Sequence, residues 1–470
     1  MKRYVLVYLS VFLAFIAMMW LIVLRGEQLV KHTTAEISKS ADQGMWAQLK
    51  YNLEHPLSKL LLQIIVILVV ARLVGVLAKR SGLPSVVGEM FAGIILGPSL
   101  FGWLLPEASA YVFTKGSLQP LQFLSQIGLI LFMFVIGMEL DIRKVQHRAK
   151  AAVVISHASI VFPYFLGMLL AYFLYQEFAA TRTGFLSFAL FMGIAMSITA
   201  FPVLARILQE RKLTQTPLGS LAITCAAADD VTAWCILAVV IAIVKAGGLI
   251  GAVTSILLAA VFVFLMLFPV RRWVAKSVDY LSAKYPNGQP VVALSFFVLL
   301  TSAWLAEIIG IHALFGAFIA GVIMPQNTLF KETLTNKVED LSVLLLLPVF
   351  FAFTGLRTEI GLLTEGHYWW TCILITLVAV IGKFGGSFLA ARWVGQDWKD
   401  SLSIGILMNT RGLMELIVLN IGYDLGILSP EIFAMLVIMA ILTTVMTGPL
   451  MDLVEFTFRR RNSTKAEAAG

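Results

Sequence analysis

Two adjacent aspartates, Asp229 and Asp230, lie in a run of residues 223–244 that contains no other charged side chain. An aspartate at the centre of a bilayer-spanning helix costs roughly 2.5 to 3.5 kcal/mol on insertion scales. Two adjacent negative charges also repel each other. Successive helical residues point about 100° apart, so the two carboxylates face different neighbours. One can therefore pair with a cation from another helix while the other faces a cavity.

A lysine deep in another apolar run is the natural partner for one of these carboxylates. Lys383 lies in VAVIGKFGGSFLAA, far from either end of its span. One interpretation is a fixed ion pair that only holds helices together, although desolvation can exceed the Coulombic gain of a buried pair. One lysine against two aspartates still leaves a carboxylate without a protein counter-charge. This imbalance predicts a site for a cation or a proton.

The composition indicates a membrane protein. The 470 residues are 59% hydrophobic and 13% charged, with a mean hydropathy of +0.90. Soluble domains carry about 25% charged residues, so lipid must cover much of this surface. The net charge of +8 is assigned to cytoplasmic loops rather than to nucleic-acid binding. The three cysteines lie in apolar runs and are interpreted as small buried hydrophobic residues, with no disulfide framework or metal spacing.

Fourteen apolar stretches are candidates for membrane spans, at about 20 residues per crossing. They are residues 4–24, 57–78, 84–104, 119–139, 150–175, 185–208, 216–244, 247–270, 290–309, 311–325, 341–356, 368–391, 402–422 and 430–453. Basic residues concentrate in alternate loops, which places both termini in the cytoplasm.

Four regions follow from this assignment. Residues 1–24 are expected to be a retained signal-anchor helix, because their apolar run exceeds that of a signal peptide and no small-residue cleavage site follows. A cleaved signal peptide is the alternative. Residues 25–56 form an extracytoplasmic linker, 57–453 the transmembrane domain and 454–470 a cytoplasmic tail.

Two spans contain helix breakers at mid-depth. Pro202 follows Thr199 and Phe201 in one, and Asn409 and Thr410 interrupt the other. Exposed backbone inside a membrane is tolerated only where it lines a cavity or is buried in protein. A simple proline kink would explain either span alone. Each broken span is the fifth of five, in residues 57–208 and 290–422, and the two enter from opposite sides. This relation predicts an inverted repeat whose unwound helices cross at a substrate site.

The remaining intramembrane charges also need partners. Arg411 is expected to be structural and to pair with Glu89, Glu307 or Glu415, and the sequence does not choose among them.

Six blocks of the chain resemble the monovalent cation/proton antiporters of the second cation–proton antiporter family, especially the cation/H⁺ exchangers with plant members. The blocks occur in family order and are GEMFAGIILGPS (88–99), SITAFPVLARIL (197–208), AAADDVTAWCILA (226–238), IGIHALFGAFIAGVIMP (309–325), VIGKFGGSFLAA (380–391) and MNTRGLMELIVLNIG (408–422).

The resemblance implies an all-α polytopic fold of thirteen core helices with inverted repeats and two crossed, unwound helices. A mobile core domain moves against a dimerisation domain, so a homodimer is expected. In the family pattern Asp230 binds the ion, Asp229 pairs with Lys383, and Thr199 lies at the unwound crossover. The N-terminal helix would be additional. Glutathione-gated potassium efflux members typically begin the doublet with Gln, and Asp229 departs from that branch.

The predicted function is exchange of Na⁺ or K⁺ for H⁺ by alternating access, with Asp230 holding either ion, no cofactor, no enzymatic activity and no nucleic-acid partner. The expected location is a bacterial plasma membrane. An intramembrane aspartyl protease needs two carboxylates that share a proton, a geometry that adjacent residues of one helix do not reach. A cation channel is the alternative, but a ring of charges or a carbonyl filter is not apparent in the sequence.

Overall fold

The computed structural model is helical throughout the residues that it describes. These are residues 2–27, 45–81, 83–139, 149–180, 183–214, 216–245, 249–285, 288–325, 338–364 and 366–469. Two compact units divide the chain at residues 1–59 and 60–470. The predicted linker, 25–56, includes the helix Met45–Glu54, and its residues 28–44 lie outside the described part.

The helices are numbered here in chain order. They are α1 Lys2–Glu27, α2 Met45–Glu54, α3 Pro56–Arg80, α4 Ser85–Leu96, α5 Phe101–Leu104, α6 Pro106–Val112, α7 Leu118–Glu139, α8 Ala149–Phe178, α9 Phe185–Ser197, α10 Phe201–Glu210, α11 Pro217–Lys245, α12 Leu249–Leu265, α13 Arg271–Lys284, α14 Gln289–Ile309, α15 Ala313–Val322, α16 Leu347–Arg357, α17 Gly366–Val380, α18 Gly386–Trp393, α19 Trp398–Met408, α20 Leu413–Asp424 and α21 Pro430–Ala469.

Within the described ranges, 12 helical segments are long and apolar enough to cross a membrane, and Phe12–Arg25 and Ala313–Val322 are shorter apolar helices. Each of the fourteen predicted stretches overlaps one of these segments. The all-α polytopic fold class is therefore confirmed. The number of helices that cross the bilayer and the repeat symmetry stay predictions.

Lipid-facing helices bury only a narrow stripe. On α3, Ile67 and Ala71 are buried, whereas Leu61, Ile65 and Leu73 are exposed. An apolar surface of this kind is stable in a bilayer because lipid tails solvate it as well as protein does. Cys225 and Cys372 are buried as expected, but the expectation for Cys235 was wrong, since it is exposed on the outer face of α11. In lipid an exposed thiol needs no protein cover.

The helices of residues 60–458 pack as two groups. The first bundle comprises α3–α7 and α14–α16, and the second comprises α8–α11 and α17–α21. The segment α12–α13 packs on α11 of the second bundle and on α14 of the first. Two helices of the first bundle approach closely at Gly355 and Gly93. A Cβ added to Gly355 would lie only 1.9 Å from the carbonyl carbon of Gly93. Small residues allow membrane helices to approach in this way.

Candidate functional site

Two broken helices of the second bundle meet near its centre. The first break separates α9, ending at Ser197, from α10, beginning at Phe201. The second separates α19 from α20, and the two breaks are joined by a hydrogen bond from the Ala200 N–H to the Thr410 carbonyl, 3.0 Å. Pro202 occupies the first turn of α10, where its missing N–H costs no helical hydrogen bond. The sequence signals for interruption therefore mark real helix ends.

The free carbonyls at the end of α9 are capped by two cations. Arg411 donates to the carbonyls of Ala195 and Met196, each at 2.6 Å. Lys383 donates to the carbonyl of Ser197. The last carbonyls of a helix have no intrahelical donor and carry partial negative charge, so buried cations stabilise this end.

Arg411 also forms an ion pair with Glu415, 3.0 Å apart, and both side chains are fully buried. Of the three predicted candidates, the structure brings only Glu415 to Arg411. Glu307 lies 3.7 Å from Lys245 and accepts a hydrogen bond from the Ala313 N–H. Glu89 lies on α4 of the first bundle, whereas Arg411 lies in the break between α19 and α20 of the second bundle.

Asp229 receives every one of its hydrogen bonds on a single carboxylate oxygen. Three donors converge on Oδ2: Lys383 Nζ at 3.0 Å, the Thr199 hydroxyl at 2.7 Å and the Ser159 hydroxyl at 2.5 Å. Its Oδ1 is buried and has no hydrogen-bond partner among the described residues. Lys383 reaches this point from a π turn, Ile381–Gly385, a distortion often found at functional sites. The lysine and the first aspartate are thus in direct contact, as predicted.

Asp230 faces a different direction. Its carboxylate lies near the backbone N–H of Phe201, at the start of α10. Its Oδ2 has no partner in the described part of the chain, although the residue is only 2% exposed. The N-terminus of a helix favours negative charge, which is why this carboxylate is held there. Thr199 lies in the first break and donates its hydroxyl to Asp229.

The second break supplies a further polar atom. Asn409 is 3% exposed, and its Oδ1 has no partner within the described ranges. Thr410 turns away, since its hydroxyl lies 3.1 Å from that of Thr447 on α21. Of the two residues predicted there, Asn409 is therefore the one with an unused oxygen.

A cavity of about 740 Å³ separates the two bundles at one end. Phe201, Pro202 and Leu413 form its inner limit, so it reaches the first residues of α10 and α20. Its wider part is lined by Glu139, Glu339, Arg206 and Gln209. This is the end at which α7 and α10 finish, and we call it the basic end after the basic loops of the sequence.

The space between the bundles is narrow at the opposite end. A cavity there measures about 30 Å³ and is lined by Gln126, His312, Asn420 and Asp424, among others. Arg357 of α16 forms an ion pair with Asp424 of α20 at 2.7 Å. Asn420 donates to the Thr354 hydroxyl at 2.8 Å. Both links join the first bundle to the second.

Ser159 is the residue of this site that sequence reasoning missed. A weak signal existed, because Ser156 and Ser159 are three residues apart and share one helix face. Only the packing of α8 against α11 and α18 selects Ser159, whereas the Ser156 hydroxyl has no partner in the described structure.

A family profile described as "Sodium/hydrogen exchanger, transmembrane" matches residues 65–453. The chain belongs to this exchanger family. It is a monovalent cation/proton antiporter by family, and so a secondary transporter and not an enzyme.

Curated relatives agree with this assignment. The exchanger is 44% identical over 393 residues to the Na(+)/H(+) antiporter NhaS4 of Synechocystis sp., covering 83% of this chain and 96% of that protein. It is 40% identical over 408 residues to cation/H(+) antiporter 17 of Arabidopsis thaliana, covering 85% of this chain and 48% of the plant protein. The exchanger thus spans about half the length of this plant relative.

A solved structure shares the fold. The sodium proton antiporter MjNhaP1 of Methanocaldococcus jannaschii superposes with a TM-score of 0.61 at 16% identity, covering 83% of the exchanger and 96% of MjNhaP1. Similarity at this identity establishes the fold alone.

Proposed function

We propose that this protein exchanges Na⁺ or K⁺ for protons by alternating access, with the Asp230 carboxylate as the site for which cation and proton compete. One observation carries the proposal. The Oδ2 of Asp229 accepts hydrogen bonds from Lys383, Ser159 and Thr199, whereas the Oδ2 of neighbouring Asp230 has no partner among the described residues. A buried carboxylate without a counter-charge is stable only when a proton or a cation neutralises it.

The donor set at the crossing point suits a hard monovalent cation. Besides Asp230 Oδ2, the buried oxygens that lack partners in the described ranges include Asp229 Oδ1 and Asn409 Oδ1. Carboxylate and amide oxygens are the ligands that hard cations prefer in proteins. We assign the cation to this group of oxygens, with Asp230 as the residue that also takes the proton.

The two cavities support alternating access over continuous conduction. The 740 Å³ cavity reaches Phe201, whose N–H lies near Asp230, and the Arg357–Asp424 pair joins the two bundles at the opposite end. Because basic loops face the cytoplasm in membrane proteins, we assign the basic end to the cytoplasm and this structure to an inward-open state. Movement of the second bundle against the first would open the other side.

Exchange follows from the cost of an uncompensated charge. An empty Asp230 would carry a net negative charge through a low-dielectric region, so only a site filled by a cation or proton crosses readily. We further propose that the Lys383–Asp229 pair opens when the cation binds and that Lys383 then releases a proton, which makes exchange electrogenic.

The remaining assignments are also proposals. We assign residues 57–453 to the transport domain, 1–24 to a retained anchor helix, 25–56 to an extracytoplasmic linker and 454–470 to a cytoplasmic tail. The resemblance supports a homodimer in the plasma membrane of a bacterium, with both termini in the cytoplasm.

The decisive test is exchange by Asp230→Asn in proteoliposomes that enclose a pH-sensitive dye. Addition of Na⁺ or K⁺ should move protons in wild type. The variant should insert, because it loses a buried charge, but show no cation-dependent proton movement. Asp279→Asn, at an exposed position of α13, is the matched control and should retain exchange. Wild-type exchange by Asp230→Asn would refute the proposal.

A further inference from the structure

Ser159 contacts both members of the buried ion pair. Its hydroxyl donates to Asp229 Oδ2 at 2.5 Å, and its backbone carbonyl accepts a hydrogen bond from Lys383 Nζ at 2.9 Å. The residue is fully buried on α8, whereas Asp229 lies on α11 and Lys383 in the π turn before α18. One serine therefore fixes the position of two charged side chains that come from different helices.

The hydroxyl has a choice of acceptors, and its charge-assisted bond decides the geometry. A serine hydroxyl carries one proton, and the carbonyl of Ser156 lies 2.9 Å from Oγ as a second acceptor. The shorter contact is the one to Asp229, and bonds to an ionised carboxylate are roughly twice as strong as neutral ones.

The same bond sets which oxygen of Asp229 stays free. Ser159, Thr199 and Lys383 all donate to Oδ2, so rotation of the carboxylate would break three hydrogen bonds at once. Oδ1 is thereby held without a partner among the described residues, one residue before the free Oδ2 of Asp230.

We propose that Ser159 is a positioning residue for cation binding: it holds the Asp229 carboxylate oriented so that its Oδ1 stays available for the cation. This inference rests on the proposed exchange of a cation for protons. The titratable groups near Asp229 remain unchanged in the test, and they are Cys225, Asp230, Lys383 and the Arg411–Glu415 pair.

Ser159→Ala removes the donor and leaves the backbone carbonyl that binds Lys383. A hydrogen bond to a charged group contributes about 1.5–3 kcal/mol, and 1.4 kcal/mol corresponds to a factor of ten. The Asp229 carboxylate is then held by two donors instead of three, so the KM for Na⁺ or K⁺ should rise about tenfold with little change in maximal rate. A purely structural defect would lower the maximal rate instead, and Ser159→Thr would not rescue the KM.

The chain offers a closely matched control. Ser156→Ala removes an equally buried hydroxyl one turn away on the same helix, and that hydroxyl has no partner in the described structure. It should leave KM unchanged, and Ser159→Thr, which keeps a hydroxyl, should stay within about threefold of wild type, well under the tenfold expected for loss of the donor.

The measurement is cation-dependent proton flux in proteoliposomes at several pH values, with gel filtration to confirm that each variant folds. If Ser159→Ala does not fold, Ser159→Cys replaces it, since a thiol is a weak donor of similar size. A wild-type KM in Ser159→Ala, or a rise equal to that of Ser156→Ala, would overturn the role of Ser159. A failure of the proposed exchange mechanism would give a different result, namely wild-type exchange by Asp230→Asn.

Discussion

Neutralising Arg357 should shift the protein toward the state that is open at the opposite end. Arg357 belongs to the first bundle and its ion-pair partner Asp424 to the second, so their 2.7 Å contact joins the two bundles at that end. If the bundles move against each other, this contact must break in every cycle. Arg357→Gln removes it in advance and leaves a neutral side chain of similar length.

The magnitude follows from exposure and contacts. Arg357 is 16% and Asp424 39% exposed at the side chain, so water screens the pair and it contributes at most about 1 kcal/mol. The guanidinium also lies 5.3 Å from the ring centre of Tyr423 on α20, which adds about 0.5–1 kcal/mol. A loss of about 1.4 kcal/mol changes the equilibrium tenfold. A protein that starts at about 10:1 inward would approach equal populations.

Two cysteine reporters read the populations in a background without Cys225, Cys235 and Cys372. Gln209→Cys lines the wide cavity at the basic end, and Gln126→Cys lines the narrow space at the opposite end. From a 10:1 starting ratio, Arg357→Gln should slow labelling of the first by about twofold and speed labelling of the second by about fivefold. Membrane-impermeant reagents added from either side provide the measurement.

An ion pair inside one bundle provides the control. Arg211 pairs with Asp452 at 2.8 Å, at 23% and 69% exposure, and both belong to the second bundle or its connecting loop. Arg211→Gln should leave both labelling rates unchanged, because this contact need not break when the bundles move. Unchanged rates in Arg357→Gln, or equal changes in the two variants, would refute the reasoning.

Two further predictions concern the ion pair and the packing of the first bundle. Lys383→Gln leaves buried Asp229 without its cation and removes the ammonium proton that the electrogenic mechanism requires. Exchange of Na⁺ under a valinomycin-set potential should then respond less to voltage than in wild type. If Lys383→Gln is active and keeps the wild-type voltage response, Lys383 is only a structural partner. If exchange by the wild-type protein does not depend on the membrane potential, the electrogenic mechanism is wrong. Gly355→Ala should lower the melting temperature of the purified protein, because its Cβ would lie 1.9 Å from backbone of Gly93 and overpacking costs about 1–3 kcal/mol or more. Gly361→Ala, where nothing lies within 4 Å, is its control, and equal melting temperatures would contradict the argument.

Membrane proteins reveal much of this fold in the sequence, because the bilayer imposes simple rules. Each apolar stretch had to become a helix, since no other open structure satisfies its backbone in lipid. Pro202 and the Asn409–Thr410 pair predicted the two breaks, because non-helical backbone inside a membrane must be buried in protein or line a cavity. The contact of Lys383 with Asp229 was predictable because few other charges lay deep enough to compete.

Contacts that depend on packing could not be predicted in the same way. Ser156 and Ser159 are equivalent in the sequence, and only the neighbours of α8 make Ser159 a donor to Asp229. Arg411 had three possible partners, and the helix start at Leu413 decides for Glu415. Arg411 also donates to the carbonyls at the end of α9. Residue types alone do not predict a contact between a side chain and a distant backbone carbonyl.

The charge balance at the crossing point limits what the site can carry. Two cations, Lys383 and Arg411, face three carboxylates there, and all five side chains are buried: Asp229, Asp230 and Glu415 complete the group. With every group ionised, one negative charge is in excess, and one proton or one Na⁺ or K⁺ cancels it. A divalent cation would leave a positive excess, which is as costly to move through a low-dielectric region as the empty site. Loss of the Lys383 proton would raise the negative excess from one charge to two. A bound monovalent cation would then leave one negative charge uncompensated. The voltage response of the wild-type protein therefore measures directly whether Lys383 gives up its proton during the cycle.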